Sequence, residues 1–330
     1  MSELRYNVIS KDWVVIATER AKRPDSFKRP KDARVIPEYS ETCPFCPGKE
    51  GDRHDETYCL GDEKAWKVRA ILNKYPAFSP DQKEERKTAG IHSSITGYGQ
   101  HEVIVENPIH NRIIALATDG EVEDVVRTYK ERYDKLLPVK GIEAITIFKN
   151  HGPGAGCSQE HPHSQLVATP ITPHQIRVRM EAASSFFDMT GRCIYCHMIE
   201  DESKSKERIV LETEKFIAFS PYASAAPFIV WLLPKRHAAS FDEINETEIK
   251  DLARALRTAL RKLYIGLGNP DFNYVIRSAP VNEKNVKYFH WGIAIVPRLA
   301  QPAGFELGSG IFINSSLPEE CAKFLRDVEV

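Results

Sequence analysis

The sequence predicts an α+β fold: two tandem α/β units that form one largely antiparallel sheet flanked by helices. Two observations predict this fold. The first is an internal repeat, because the chain contains two C-x-x-C pairs and each pair is followed by two widely spaced histidines. The second is that both halves run in the same order of strand, histidine, helix, strand, loop, histidine and strand. We expect one unit over residues 1–170 and a second over residues 171–330, although two unrelated stretches could share this spacing by chance.

Composition narrows the class of protein. The 330 residues are 42% hydrophobic and 28% charged, with a formal net charge of −1, which is typical of a globular protein without a general attraction to nucleic acid or anionic membranes. The chain has no run of 18 apolar residues, and its first residues lack an apolar signal core. We therefore expect a cytoplasmic protein with reduced thiols.

The first unit begins with a strand-like run, residues 102–106, that leads to His110. A polar stretch around residues 79–94 before it is predicted to be a loop. After His110, apolar residues recur at helical spacing. Two further strands follow, at residues 144–148 and 165–168. The helical positions are Val122, Val125, Val126, Tyr129, Tyr133 and Leu136.

The second unit repeats these elements. Residues 228–233 are predicted to form the strand before His237, and residues 273–277 and 291–296 the two later strands. The intervening helix begins with Asn245 and Glu248, which have the spacing of a capping box. Its apolar positions are Ile249, Leu252, Leu256, Leu260 and Leu263.

The cysteine pairs and histidines have the spacing of two metal sites. His161 follows His110 by 51 residues, and His290 follows His237 by 53. Zinc in structural sites prefers four thiolate and imidazole ligands, which leave no open position. Redox chemistry is the weaker alternative, because the context expected of a thioredoxin-like C-x-x-C is missing. We therefore expect two structural zinc ions, held by Cys43, Cys46, His110 and His161, and by Cys193, Cys196, His237 and His290.

The segment from Phe148 to Gln165 has the densest concentration of chemical groups. Three glycines within residues 152–156 are followed by H-P-H-S-Q. Glycines allow the backbone to approach phosphate oxygens closely. A neutral imidazole is a competent nucleophile near pH 7, and a good leaving group once it is bonded to phosphorus. His161 and His163 are two residues apart and point to the same side of an extended strand, so a metal on His161 would anchor the strand that presents His163.

The second half of the chain serves as an internal control. His290 aligns with His161, but Gly292 stands where the first half has His163. This pattern predicts one catalytic centre and one structural copy per chain. The alternatives for His163 are a polar histidine with satisfied hydrogen bonds or a further metal ligand.

H-P-H-S-Q after G-x-G-C-S resembles the signature of the galactose-1-phosphate uridylyltransferase branch of the histidine-triad superfamily. The resemblance extends over nearly the whole chain and implies two histidine-triad-like units, with the nucleophile in the first. Further segments that resemble this family are Arg5–Asn7 with Trp13, Arg20–Pro24, Cys43–Gly48, Asn73–Phe78, His101–Val103, Phe305–Gly310, Ile313–Asn314 and Pro318–Glu320.

The resemblance implies ping-pong nucleotidyl transfer from a nucleoside-diphosphate sugar, with His163 as the nucleophile. Gln165 would hydrogen-bond the nucleotidyl phosphate, and Ser158 would contact the transferring or leaving phosphate. The resemblance also implies a homodimer with shared active sites, in which the sugar phosphate meets two arginines of the neighbouring subunit. The substrate-binding residues implied in this way are Arg20, Arg23, Phe45, Asn73, Asn150, Gly156 and Glu306.

Two departures bear on the substrates. Some family members have an H-x-H for an iron-type site near the C-terminus, whereas Tyr288–Gly292 contains one histidine. The combination of this single histidine with a second cysteine pair is similar to that of the plant-type branch, which acts as an ADP-glucose phosphorylase. Phe305–Gly310 also lacks the glutamine with which some uridylyltransferases are thought to contact the hexose.

We expect a UDP-glucose–hexose-1-phosphate uridylyltransferase of galactose metabolism, with an ADP-glucose phosphorylase as the alternative. A non-catalytic nucleotide-binding zinc protein is a third interpretation. A metal-dependent hydrolase is a fourth, but it would need an open coordination position.

Overall fold

The computed structural model describes residues 2–17, 27, 35–50, 55–62 and 65–330. Six α-helices lie within these ranges: α1 Asp119–Leu136, α2 His174–Thr190, α3 Ile194–Ser205, α4 Glu246–Leu267, α5 Gly304–Ser309 and α6 Pro318–Asp327. The strands are β1 Glu3–Tyr6, β2 Trp13–Ile16, β3 Glu56–Gly61, β4 Trp66–Leu72, β5 Arg86–Ala89, β6 His92–Ile95, β7 Gln100–Val105, β8 Ala144–His151, β9 His163–Thr169, β10 Ile209–Glu212, β11 Phe216–Phe219, β12 Val230–Pro234, β13 Phe272–Arg277, β14 Gly292–Pro297 and β15 Phe312–Asn314.

Ten strands form one sheet, and the strands of the two units follow the same order from the centre of the sheet to its two edges. The full order is β10-β11-β12-β14-β13-β8-β9-β7-β4-β3, and every neighbouring pair is antiparallel. From the central pair β8 and β13, each unit contributes five strands in the same chain order. The predicted fold class, two similar α/β units joined in one continuous antiparallel sheet, is therefore confirmed.

Helices α1 and α4 pack side by side on one face of this sheet. Both begin with a capping box, formed by Thr118 and Glu121 in α1 and by Asn245 and Glu248 in α4, as predicted for the second. The apolar positions predicted from helical spacing are buried in both helices. Burial of these two apolar faces against the sheet forms the largest core of the protein.

The opposite face of the sheet carries two residues that the sequence predicts to be catalytic. Strand side chains alternate between faces, so in β9 the buried Ser164, Leu166 and Ala168 alternate with His163, Gln165 and Val167. Leu166 and Ala168 belong to the core beneath α1. His163 and Gln165 therefore lie on the face away from α1 and α4.

Several elements differ from those expected. The polar stretch predicted as a loop contains an antiparallel hairpin, β5–β6, whose side chains are largely exposed and so show no apolar alternation. Strands β1, β2 and β15 form a separate three-stranded sheet. Helices α2 and α3 are further elements that the repeat pattern did not predict. No helix in the described part of the chain is long and apolar enough to cross a membrane.

Candidate active site and metal centres

The four residues predicted for the first metal site lie together and are buried. One ligand atom from each of Cys43, Cys46, His110 and His161 lies within 4.8 Å of the others. The Nδ1 atom of His110 is 3.4 Å from the sulfur of Cys46, and the Nδ1 atom of His161 is 3.6 Å from that of Cys43. Two sulfurs and two imidazole nitrogens at this separation are a donor set that fits a tetrahedral ion.

The second predicted set has the same arrangement. Ligand atoms of Cys193, Cys196, His237 and His290 also lie within 4.8 Å of one another. The sulfur of Cys196 is 3.4 Å from Nδ1 of His237 and 3.6 Å from Nδ1 of His290. Here the C-x-x-C pair lies at the start of α3, whereas the first pair lies in turns.

Both clusters share the contact that orients one histidine. The Nε2 of His161 donates to the carbonyl oxygen of Asn107 at 2.7 Å, and that of His290 donates to Pro234 at 2.9 Å. Each carbonyl belongs to the residue three positions before the other histidine of its cluster. The bond fixes the tautomer that leaves the Nδ1 lone pair facing the sulfurs, as expected for a metal-ligating histidine.

One residue in each cluster has a protonation state that suits metal binding, whereas burial raises the pKa of Cys43 and hydrogen bonding with Cys193 raises that of Cys196. Burial lowers the pKa of His161 to about 4, so the imidazole is neutral at physiological pH and its Nδ1 can act as a ligand. In the second cluster, hydrogen bonding with Cys196 holds the pKa of Cys193 well below its usual value, and His237 and His290 act in the same direction. This cluster therefore favours a thiolate, which is the form of cysteine that binds metal.

His163 lies beside the first cluster, outside its set of ligand atoms. Its Nδ1 donates to the backbone carbonyl of His161 at 2.9 Å, and its ring lies 5.6 Å from the ring of Phe45. Burial lowers the pKa of His163, which favours the neutral imidazole. Since Nδ1 carries the proton, the lone pair is on Nε2, and Nε2 has no hydrogen-bond partner among the described residues.

A buried ion pair lies beneath His163. The Nζ of Lys149 donates to Glu106 at 2.6 Å and to the backbone carbonyl of His163 at 3.0 Å. The two charged side chains are each 2% exposed. Glu106 also accepts a hydrogen bond from Tyr129, and its backbone N–H donates to the carbonyl of Pro162. Lys149 and Glu106 therefore hold the carbonyl groups of His163 and Pro162, respectively.

Gln165 is oriented by a residue that the sequence analysis did not assign to the site. The Nε2 of His101 donates to Oε1 of Gln165 at 2.8 Å, while its Nδ1 accepts from the backbone N–H of Ala77. Asn73 lies 3.2 Å from the same Nε2. With Oε1 engaged, the amide nitrogen of Gln165 keeps two donors without a partner among the described residues.

The glycine loop is held by the second unit. Asp271 accepts a hydrogen bond from the backbone N–H of Gly154 at 2.7 Å, and a Cβ added at Gly152 would lie 2.1 Å from the Asp271 carboxylate. Asn273 donates to the side chain of Asn150 and to the carbonyl of Ala155. Residues from β13 and the segment before it therefore shape the loop of the first unit.

The loop differs in one respect from the expectation that its backbone N–H groups are open to phosphate. A 3₁₀ turn, Pro153–Ala155, uses the N–H of Gly156 in a bond to the carbonyl of Pro153, and the N–H of Cys157 bonds to Gly152. Gly156 has a φ of +80°, and a Cβ there would meet no atom within 4 Å. Gly156 therefore leaves open space for a ligand, but its N–H group is already used.

Four other predicted site residues have no contact with the His163 group in the described part of the chain, or lie outside it. Ser158 is exposed and has no hydrogen bond within the described ranges. Glu306 lies in α5, beside a cavity of the second unit, and makes no contact with the His163 group among the residues that the structure describes. Arg20 and Arg23 lie outside the described residues.

The supporting residues Lys149, Glu106, His101, Asp271 and Asn273 were missed. The available signal was charge inside apolar strands, because Glu106 directly follows the run Val103–Val105 and Lys149 lies within a strand that is otherwise mostly apolar. A charged residue at such a position is almost always paired when it is buried.

Comparisons with known proteins cover most of the chain. Residues 1–173 match the family model for the galactose-1-phosphate uridyl transferase N-terminal domain, and residues 179–300 match that for the C-terminal domain. An ADP-glucose phosphorylase of Arabidopsis thaliana is 34% identical over 99% of this chain and 93% of its own length. A galactose-1-phosphate uridylyltransferase of Thermotoga maritima is 32% identical over 100% of this chain and 99% of its own.

Solved structures share the whole fold. An ADP-glucose phosphorylase from Arabidopsis thaliana with bound ADP-glucose superposes with a TM-score of 0.85 at 32% identity, covering 100% of this chain and 99% of that one. A uridylyltransferase superposes with a TM-score of 0.77 at 25% identity, covering 99% and 97%. These matches confirm the family resemblance drawn from the sequence motifs.

Proposed function

The chain belongs to the galactose-1-phosphate uridylyltransferase family of nucleotidyltransferases, and on that basis we propose that His163 carries the nucleotidyl group as a covalent intermediate. One observation carries this proposal. The Nδ1 proton of His163 is committed to the backbone carbonyl of His161, which leaves the Nε2 lone pair without a partner in the described part of the chain.

The transfer consists of two displacements at the α-phosphorus of a nucleoside-diphosphate sugar. In the first, Nε2 of His163 forms a bond to phosphorus, and the bond to the bridging oxygen breaks, so sugar 1-phosphate leaves with the electron pair. In the second, an oxygen of an incoming phosphate attacks the same phosphorus, and the N–P bond breaks to restore the imidazole. Each displacement is easier than direct transfer, because imidazole is both a good nucleophile and a good leaving group.

The neighbouring groups have supporting roles. The buried pair of Lys149 and Glu106 would keep the backbone of His163 in place during both displacements, because Lys149 donates to its carbonyl oxygen. The free amide donors of Gln165 would stabilise the oxygens of the transferring phosphoryl group, and Ser158 would contact the transferring or leaving phosphate. Gly156 would let a phosphate approach the loop, while Asn73, Asn150 and Phe45 would contact the nucleoside.

The donor sets of both clusters fit zinc, and we propose one ion in each. Two thiolates and two imidazoles close a tetrahedral shell, so each ion would stabilise the fold and hold its histidines in place. At the first cluster this fixes His161, whose carbonyl in turn orients His163.

For substrates, the first candidate pair is UDP-glucose with galactose 1-phosphate, as in the uridylyltransferase relatives. The second candidate is ADP-glucose with inorganic phosphate. It is favoured by the superposition, over the whole chain, on a relative that holds ADP-glucose, together with the second Cys₂His₂ cluster. Both pairs use the same histidine and the same two displacements.

We also propose a cytoplasmic homodimer with two units per chain, residues 1–170 and 171–330. A cytoplasmic location suits seven cysteines of which none forms a disulfide in the described structure. Exposed large apolar side chains offer a surface for a second copy, and shared active sites would bring in Arg20 and Arg23 of the partner subunit. These exposed side chains are Leu4, Tyr6, Trp13, Phe305 and Leu307. Light scattering after gel filtration tests the dimer.

Covalent labelling tests the intermediate. UDP-glucose and ADP-glucose, each labelled at the α-phosphorus, are incubated with the protein without an acceptor. We expect acid-labile, base-stable label on the protein with one of them, and its release on addition of galactose 1-phosphate or inorganic phosphate. The nucleotide that labels and the acceptor that releases the label identify the substrate pair.

Two variants serve as controls for the labelled residue. His163→Gly should retain no label while keeping its metal content, whereas His92→Gly, at an exposed position on the hairpin, should label like the parent protein. If no nucleotide sugar labels the parent protein, or if His163→Gly still carries label, the proposed intermediate is wrong.

A further inference from the structure

The second unit contains a cavity of about 570 Å³ on the sheet face opposite α1 and α4. We call it the C-terminal cavity. It lies between β12–β14, the start of α2 and the small three-stranded sheet. Its lining includes Arg179, Arg277, Arg298, Val178, Val296 and Trp231.

The C-terminal cavity adjoins the part of its unit that corresponds to the His163 site, and its lining begins at Val296, beyond Gly292 and Ala294 on β14. In the first unit Gln165 pairs with Val103 across β9 and β7. In the second unit the equivalent of Gln165 is Ala294, and it pairs with Trp231 across β14 and β12. Trp231 in the cavity wall therefore corresponds, in the internal repeat, to Val103 beside Gln165 in the first unit.

The part of the second unit that corresponds to the His163 site has lost its reactive groups. Gly292 takes the place of His163, and a Cβ added there would lie 2.1 Å from Cδ2 of Leu233. The leucine side chain fills the space that a nucleophile would need. Ala294 in place of Gln165 also removes the amide donor. This face of the second unit therefore has neither the histidine nor the glutamine of the first unit.

Its wall carries three arginines, Arg179, Arg277 and Arg298, against two carboxylates, Asp12 and Glu306. Arg277, opposite Gly292 in the register of β13 and β14, has its guanidinium 5.7 Å from the ring centre of Trp231. No acidic side chain among the described residues forms an ion pair with it, and burial together with the charge of Arg179 lowers the pKa of Arg277 to about 9. Asp12 and Glu306 line the same cavity without forming an ion pair with its arginines.

The other walls complete a site for an anion with an organic part. Helix α2 begins at the cavity, where His174 and Gln175 lie in a first turn that has no side-chain cap. Helix N-termini favour anions through free N–H groups and the helix dipole. The wall of Trp231, Val178 and Val296 is apolar, which suits a sugar or base.

We propose that the C-terminal cavity binds a small organic phosphate, the phosphate monoester of a sugar or nucleoside, without reacting with it. The phosphate group would lie between Arg277 and Arg179 near the start of α2, and the organic part against Trp231. Arg277 is half-buried and has no ion pair among the described residues, so an arriving phosphate would supply the opposite charge with bidentate hydrogen bonds.

Calorimetric titration of the full chain with glucose 1-phosphate, AMP and inorganic phosphate tests this site. We expect the parent protein to bind one of the two organic phosphates at two sites per chain, the second being the His163 site. Arg277→Met should retain one site, or bind at the second at least about ten-fold more weakly. Arg254→Met, an exposed arginine of α4, should behave like the parent protein.

Thermal unfolding gives an independent reading. Arg277→Met removes an uncompensated charge, so without ligand its Tm should rise by about 2 °C, while the rise that organic phosphate produces in the parent protein should shrink. Arg179→Met serves as the second variant if Arg277→Met does not fold. The proposal is overturned if parent and variants bind every probe with equal stoichiometry and affinity, or if inorganic phosphate binds as tightly as both organic phosphates.

This proposal stands apart from the covalent chemistry of His163. Arg277→Met should be labelled by the nucleotide sugar as fast as the parent protein, because Arg277 does not contact the His163 group. Loss of the second binding site with intact labelling, and loss of labelling with an intact second site, are distinguishable results.

Discussion

Replacing Lys149 by methionine should destabilise the protein strongly and slow its chemistry. Lys149 and Glu106 are each 2% exposed, and their charged atoms lie 2.6 Å apart. The lysine also donates to the backbone carbonyl of His163. Methionine has a similar length but no charge, so the variant leaves Glu106 buried with Tyr129 as its remaining side-chain donor.

The expected size follows from this burial. Removing one partner of a buried ion pair costs about 3–5 kcal/mol, because the other charge stays desolvated without compensation. Lys149→Met and Glu106→Leu should each lie in that range. The double variant removes both charges together and should cost clearly less than the sum, with a coupling energy of about 2 kcal/mol or more.

Urea unfolding of the two single variants and the double variant measures this cycle. Lys67→Met, whose ion pair with Asp124 is largely exposed, is the matched control and should change the free energy of unfolding by less than about 1 kcal/mol. Nucleotidyl labelling of Lys149→Met should be slower but still present. The reasoning is refuted if each single variant has a free energy of unfolding within about 1 kcal/mol of the parent protein. It is also refuted if the loss in the double variant equals the sum of the two single losses.

Three further predictions concern other parts of the molecule. Cys43→Ser should lower the metal content from two ions to one per chain and lower Tm, since serine is a poor ligand for zinc; mass spectrometry of bound metal checks this, and two retained ions would contradict it. His101→Phe should lower kcat by about ten- to a hundred-fold with little change in KM, because Gln165 loses the donor that orients it; an unchanged kcat in steady-state kinetics would speak against this role. Although burial acts in the opposite direction, hydrogen bonds from Arg208 and Arg5 hold the pKa of Glu319 below its usual value, so this carboxylate stabilises the fold above about pH 4 and loses that effect as the pH falls. The stability gap between the parent and Glu319→Gln in urea unfolding should therefore be wide at pH 7 and close towards pH 3, whereas a constant gap would exclude this linkage.

Much of the architecture could be predicted because its signals are local or periodic. The apolar spacing in α1 and α4 sets which helix face is buried, and the capping pair Asn245 and Glu248 marks a helix start within four residues. The cysteine and histidine spacing is a specific signal because few residue types ligate zinc, and it recurs in both halves of the chain. Both clusters therefore assemble from the residues that the spacing selected.

The supporting residues could not be predicted in the same way, because their partners are distant in the chain. Asp271 meets Gly154 across 117 positions, and Asn273 meets Asn150 across 123. Nothing in the sequence near either end of these contacts indicates the other. The hairpin β5–β6 was missed for a different reason, since an exposed ribbon of polar residues has no buried face to impose alternation.

The contacts between the glycine loop and the second unit have a consequence for folding during synthesis. The loop is complete at about residue 160, yet the side chains that brace it, Asp271 and Asn273, are added more than a hundred positions later. A nascent chain on the ribosome contains His163, the proposed nucleophile, long before it contains the groups that shape the surrounding loop. Truncation anywhere before β13 leaves an unbraced loop on an open strand edge, so the two halves cannot be separated into an active and a dispensable part.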